Sequence, residues 1–273
     1  MLRRCFRFAA MLALSVLLLP IALWSRVLGL LGAERRALRR AAYVQGLWAR
    51  GILRVLGVEL ELEGTPPGGA SVLVANHLSY LDIPVLAAHF SGRFVAKTDI
   101  AGGPFFGPLA TVVGTIFLDQ KRRRDMVRVE REMVRTLSAG VPVVLFAEGH
   151  STRGLGVDRL HGSLLECAVR GRVPCLAVAL SYETPRDPWA PAATVCWWGG
   201  MSFWRHAWTL VGLRGIVARV RFAPAPRSGT DRKSLAEELR QDLLERFVPV
   251  RQGPIAPDYP WPELFAGAPE TAG

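Results

Sequence analysis

The rhythm of apolar and polar positions changes near Gly57 and divides the chain in two. Before it, Phe8 to Trp24 is apolar apart from Ser15, a run of seventeen residues that contains Pro20. Arg35 to Leu56 follows, with Leu38, Ala41, Ala42, Gln45, Trp48, Ala49, Ile52, Leu53 and Leu56 recurring near a helical period, which predicts a helix there. After Gly57 the apolar runs shorten. Val58 to Glu63 alternates as a half-buried strand does, and Thr65 to Gly69 reads as a tight connection. Ser71–Ala75, Arg93–Ala96, Thr115–Leu118, Pro142–Ala147 and Pro174–Leu180 are short runs that read as strands. Helices are predicted at Ile83–His89, Arg124–Ser138 and Gly162–Val169, with Arg128 and Glu132 a surface pair on the second and Gly140 its stop. Strand then helix, repeated, predicts an α/β fold with a mainly parallel or mixed central sheet flanked by helices, preceded by a membrane-associated helical element.

Beyond Tyr182 the pattern predicts a strand end at Val195–Trp198, a short helix at Phe203–Leu210, a strand at Ile216–Phe222 and a terminal helix at Asp231–Phe247. Trp197, Trp198, Trp204 and Trp208 are placed in the core, with a membrane interface as the other reading. Three regions result: 1–56, hydrophobic and basic; 57–248, the folded α/β domain; and 249–273, a weakly ordered tail rich in proline, glycine and alanine.

Charge matters chiefly through its placement. Of the formal +11, residues 1–54 carry ten arginines against the single acidic Glu34, so the rest of the chain is nearly neutral. Nucleic-acid binding spreads basic groups over a reading surface; here Arg3, Arg4 and Arg7 precede the greasy run and Arg35, Arg36, Arg39 and Arg40 follow it. A cleaved signal, a crossing helix and a one-leaflet hairpin remain open, and basic groups on both flanks favour the hairpin. Four cysteines form no metal-like pairs and no disulfide framework, and the five histidines have no ligand-like spacing, so no metal site is expected. Neither a dinucleotide fingerprint nor a phosphate loop is present.

Candidate chemistry lies where the strands end. Asn76-His77-Leu78-Ser79-Tyr80-Leu81-Asp82 closes the first, and an imidazole is the side chain that exchanges a proton near neutral pH. Five helical positions span about 140° around the axis, so His77 meets Asp82 only from a turn ahead of a helix. Gly114 to Lys121 and Phe146 to Thr152 are two further polar clusters after apolar runs. In order and spacing the three blocks resemble the membrane glycerolipid acyltransferases, the lysophosphatidate acyltransferase family, over roughly Val58 to Tyr182.

That resemblance implies an acyltransferase domain at 57–248, with His77 as general base and Asp82 as its partner. It places Asn76, Ser79, Asp119, Gln120, Lys121, Glu148, Gly149, His150, Ser151 and Arg153 around the acceptor, and Lys97, Phe105, Phe106, Val173 and Pro174 along an acyl-donor channel. The implied reaction moves a fatty acyl chain from acyl-CoA or an acyl-carrier protein to a lysolipid hydroxyl, with 1-acylglycerol-3-phosphate as the family's acceptor in phospholipid biosynthesis. These thioesters are co-substrates, no other cofactor is implied, the partners are membrane lipids and not nucleic acid, and the domain is expected on the cytoplasmic face of a bacterial inner membrane.

Two positions depart from the family pattern. Gln120 and Ser151 stand where phosphate-recognising relatives carry arginine, the side chain suited to a bidentate phosphate contact, although Lys121, Arg122 and Arg153 are near. An acceptor without a terminal phosphate, such as a lyso-ornithine lipid, follows as an alternative. A non-catalytic lipid-binding protein is a second alternative, against which the intact His77 and Asp82 argue. Without a Gly-x-Ser-x-Gly elbow, transfer is expected to be direct, and Ser79 to have a hydrogen-bonding role.

Overall fold

A computed structural model describes residues 1–65, 71–98, 110–111, 114–119 and 122–253, with backbone alone at Lys97, Arg123 and Cys167. The expectations for the 66–69 connection, the 102–107 loop, Phe105, Phe106, Gln120, Lys121 and the tail past 253 lie outside the described residues.

The helices α1 (Leu2–Leu30) and α2 (Glu34–Leu56) form an antiparallel pair. Gly57, in the left-handed region at φ 72°, ends α2 and turns the chain into β1 (Val58–Glu63). Then come β2 (Val72–Ala75), α3 (Asp82–Phe90), β3 (Arg93–Lys97), β4 (Ile116–Leu118), α4 (Arg123–Ser138) and β5 (Val143–Phe146). A 3₁₀ turn (Gly162–Leu165) leads into α5 (Glu166–Gly171), followed by β6 (Cys175–Glu183), α6 (Pro191–Thr194), α7 (Phe203–Gly212), β7 (Ile216–Phe222) and α8 (Arg232–Arg246). Asp231 caps α8, its carboxylate accepting from the amides of Lys233 and Ser234.

The seven strands are ordered β1-β7-β6-β2-β5-β3-β4. From β6 to β4 every neighbour is parallel, and only the β6–β7 pairing is antiparallel. The sheet is therefore mixed with a parallel centre. β2 lies at that centre, and its four residues are fully buried, which is what a run apolar at every position requires. The connections through α3 and through α4 and α5 move opposite ways along the sheet, so the right-handed crossover rule assigns α3 to one face and α4 and α5 to the other. The five parallel strands share one C-terminal rim, the usual place for a site in such a sheet.

Four expectations need correcting. Val195–Trp198 is not a strand: α6 ends at Thr194 and irregular chain follows, because the tryptophans pack in a satellite cluster around Ala193 and Met201. Arg128 pairs with Asp125 instead of Glu132, which reaches Arg93 at the base of β3. Pro20 does not break the apolar segment; α1 runs through it without a re-entrant turn. The first arginine cluster is docked on the domain: Arg3 and Arg7 donate to carbonyls of residues 211–213 at the end of α7, and Arg4 lies over Trp208.

Contacts at both ends hold α1 to the domain. Arg26, near its far end, donates to the carbonyl of Thr111, while Arg39 of α2 donates to that of Ala139. Phe8, Met11 and Leu14 pack into the core, leaving Phe6, Leu12, Leu17 and Trp24 exposed along the helix. Of the tryptophans, Trp208 stacks on Phe8, while Trp204 is exposed.

Candidate active site

β2 delivers the chain to the rim at Asn76, whose carboxamide continues the ladder after the strand has ended. Its Nδ2 donates to the carbonyl of Leu180 at 3.1 Å, and the Leu180 amide donates to its Oδ1 at 2.7 Å. The turn is fixed from β5 as well. The amide of His77 donates to Glu148 Oε2 at 2.7 Å, and the carbonyl of His77 accepts from the amide of Thr152 at 2.9 Å.

Held there, the His77 ring stacks on Phe146 with centroids 4.2 Å apart, and its Nδ1 lies 2.7 Å from Asp82 Oδ2. The same oxygen accepts from the amides of Leu78 at 2.7 Å and Ser79 at 3.0 Å; Oδ1 accepts from the Tyr182 hydroxyl at 2.6 Å. Amides can only donate, so Asp82 is the acceptor throughout and Nδ1 carries the imidazole proton. Nε2 is left with its lone pair and without a hydrogen-bond partner among the described residues. The His77 side chain is 20% exposed and Asp82 not at all. A base with one nitrogen oriented from behind and the other open is equipped to take a proton from a bound hydroxyl.

Glu148 is buried and serves two loops: Oε2 accepts from His77, Oε1 from the amide of Asp158 at 2.8 Å. Burial pushes its carboxyl up to about 7, against the lowering effect of those two amides. Ser79 takes the predicted hydrogen-bonding role, its hydroxyl accepting from the amide of Leu81 at 3.2 Å. Gly149 turns at φ 75°, a conformation that favours glycine.

The other predicted residues scatter. His150 bonds Asp158 at 3.0 Å, Ser151 donates to the carbonyl of Trp197, and Arg153 lies over the Trp198 ring at 5.7 Å. Asp119 shares the rim but sits beyond β4, three strand spacings or roughly 14 Å from β2, in an ion pair with Arg122 at 3.1 Å. Lys97 ends β3 on the same rim. Val173 and Pro174 stand apart from His77. The Pro174 carbonyl accepts from the amide of Val72, the first residue of β2, so the pair stands at the opposite rim, roughly 16 Å from His77 along the strand.

Sequence reasoning missed Tyr182, and with it the brace formed by Tyr80, whose hydroxyl lies 2.9 Å from His206 Nδ1. His206 is fully buried, and burial lowers its pKa to about 4, so the brace is neutral. The available signal was Ser181-Tyr182, two polar-tipped residues ending an apolar strand.

Comparison with known proteins shows the family. An acyltransferase family model matches residues 58–181. A lyso-ornithine lipid O-acyltransferase of Pseudomonas aeruginosa is 31% identical over 242 residues, covering 88% of this chain and 92% of that protein. The chain belongs to the acyltransferase family. A 1-acyl-sn-glycerol-3-phosphate acyltransferase of Neisseria meningitidis is 31% identical over 203 residues, covering 71% of this chain and 76% of that one. The crystal structure of the 1-acyl-sn-glycerophosphate (LPA) acyltransferase of Thermotoga maritima matches 89% of this chain and 95% of its own with a TM-score of 0.59; at 18% identity it shows the shared fold. The protein is an O-acyltransferase of lipid metabolism. Within the family the matched segment contains His77, Asp82 and Glu148, and Tyr182 falls one residue beyond it.

Proposed function

We propose that the protein transfers a fatty acyl chain from a thioester, carried on CoA or on an acyl-carrier protein, to the hydroxyl of a lyso-ornithine-type lysolipid. The carrying observation for the chemistry is the His77 ring, oriented by Asp82 through Nδ1 and open at Nε2. Nε2 takes the proton of the acceptor hydroxyl as its oxygen bonds to the thioester carbonyl carbon. The tetrahedral intermediate then collapses, the carbon–sulfur bond breaks, and the imidazolium returns the proton to the leaving thiolate. Asp82 supports the imidazolium while it exists.

The choice of acceptor rests on the third block. Ser151 stands at the arginine place and its hydroxyl is committed to Trp197; Arg153 is laid on Trp198. Ser151 supplies no fork for a phosphate monoester, whereas Arg153, exposed and stacked by its face, keeps its in-plane donors. A second reading, 1-acylglycerol-3-phosphate as acceptor, is favoured by Arg122, 80% exposed on the same rim. Purified enzyme offered lysophosphatidate, lysophosphatidylglycerol and lyso-ornithine lipid, each with CoA and carrier-protein donors, decides between them. Fastest turnover of lyso-ornithine lipid is expected, and lysophosphatidate as best acceptor would reject the first reading.

We further infer that α1 lies along one leaflet, with the domain on the cytoplasmic face. At 29 residues it is about 43 Å long, enough to cross the roughly 30 Å hydrocarbon core. Yet Arg3 and Arg7 at one end and Arg26 near the other all bond to the same domain. Bonds at both ends to one domain favour a helix lying along the surface over one that crosses, and its exposed Phe6, Leu17 and Trp24 suit the headgroup–acyl boundary.

A further inference from the structure

We propose that Tyr182 is a positioning residue of the acyl-transfer site: it holds Asp82 through Oδ1 so that Oδ2 stays aligned on His77 Nδ1, and it draws negative charge away from Oδ2. The proposal rests on the reading of His77 as the general base.

Three observations carry it. The first is the asymmetry of the donors around Asp82. Oδ2 has the His77 ring and the amides of Leu78 and Ser79, all from the same turn, whereas Oδ1 has the Tyr182 hydroxyl, from a strand 100 residues away. The amides fix where Oδ2 lies, and the phenol fixes the plane of the carboxylate and keeps its second oxygen from being a buried unpaired acceptor.

The second is the way the strand is registered. Asn76 bonds Leu180 through both ends of its carboxamide, locking β6 against the first-block turn. Leu180 and Tyr182 are two apart in a strand and point to the same face, so the Asn76 lock also sets the place of the Tyr182 side chain. Asn76 thus acts on the base twice, once through the turn it begins and once through Tyr182.

The third is the state of the phenol. Tyr182 is 1% exposed. Burial, and after it the charge of Asp82, push its ionisation well above the usual tyrosine range, so it remains a donor at any working pH. The other titratable groups around this centre are Glu148, bonded to the His77 amide; Asp158, beyond Glu148; and Cys196, which burial and then the Asp82 charge keep as a thiol. Tyr182 is the one side-chain donor to Asp82 Oδ1 among the described residues.

Removing the hydroxyl returns charge to Oδ2, so the imidazolium is held more firmly and gives its proton to the thiolate less readily. Tyr182→Phe in the full-length, detergent-solubilised enzyme is expected to lower kcat about 10- to 100-fold, the loss of one hydrogen bond to a buried charge. KM for both substrates should hold, and the acidic limb of the pH–rate profile should move to higher pH. 3-Fluorotyrosine at position 182 keeps the shape and donates more strongly, so it should move that limb to lower pH; it decides alone if Tyr182→Phe does not fold. Wild-type kcat and limb in Tyr182→Phe, or a lower kcat with the limb unmoved in both variants, would overturn the proposal as a case of plain packing. His77→Ala, run beside them, separates the two layers: full-rate transfer by that variant removes the base and the Tyr182 role with it. A dead His77→Ala with unmoved limbs removes only the Tyr182 role.

Discussion

Glu148→Gln asks whether this carboxylate works on the protein's own backbone or on the acceptor lipid. In the native site its two oxygens accept from the amides of His77 and Asp158. Glutamine can accept only one of these, and its amide nitrogen faces a donor, so one buried amide loses its partner at a cost of about 1–3 kcal/mol. The native residue has a cost of its own. Its carboxyl rises from 4.5 to about 7 mainly by burial, equivalent to about 3 kcal/mol. The folded state binds the proton more tightly than the unfolded one, so this contribution to stability is complete below 4.5 and lost as pH rises through about 7.

Glutamine has no such dependence. Glu148→Gln is therefore expected to be the less stable protein at pH 5, by the lost bond, with the gap closing or reversing by pH 8. Thermal unfolding of both proteins in one detergent across that range measures it. The same substitution loosens the amide of His77, and an ångström of misplacement in a reacting group costs about a hundredfold, so kcat should fall while KM for the acceptor holds. A stability gap that stays constant with pH, together with a raised acceptor KM at native kcat, would refute the clamp and make Glu148 an acceptor-binding residue.

Three further outcomes are expected. His77→Ala should lower transfer about 10²- to 10⁴-fold, as loss of a general base does, with unfolding temperature and membrane attachment unchanged; near-native turnover would exclude the mechanism. Leu17→Glu with Trp24→Glu, both on the exposed face of α1, should shift the enzyme from sedimenting with anionic vesicles to the supernatant, and single cysteines at residues 2 and 34 should label from the same side of the membrane; labelling from opposite sides would show a crossing helix. Gln120→Arg with Ser151→Arg should lower KM for lysophosphatidate relative to lyso-ornithine lipid, and no change would show that phosphate recognition does not depend on these two places.

The fold was legible where a residue's partners are near in sequence or where burial is complete. β2, β5 and β6 are apolar at successive positions because both faces of the sheet are covered, and α4 shows its period because only one face is. His77 and Asp82 were legible because a turn ahead of a helix is the local solution to their spacing. Tyr182 was not, since its bond to Asp82 depends on a strand register set by Asn76. The docking of Arg3 and Arg7 on the domain was hidden in the sequence for a related reason. Arginines beside an apolar run look the same whether they meet lipid phosphates or the carbonyls at a helix end, and the end of α7 is more than 200 residues away. Val173-Pro174 rests on the motif alone, and parallel pairing of β6 with β2 puts it at the rim opposite His77.

The polar residues of the first and third blocks act mostly on one another, and this bears on where specificity resides. Asn76 is occupied by Leu180, Glu148 by two amides, Ser151 by a carbonyl and Asp82 by four donors. A buried polar atom already bonded gains little from a ligand and loses its partner if it turns toward one. Such a network makes a rigid frame for a single reactive atom, His77 Nε2, and has little left to distinguish one headgroup from another. On the proposed mechanism, with no arginine fork at Ser151, positive recognition of an acceptor headgroup falls to groups on the rim outside the network. Among the described residues Arg122 stands there with its guanidinium largely exposed and tied only to Asp119. On the proposed mechanism the rim, and not the base, decides which hydroxyl arrives at His77.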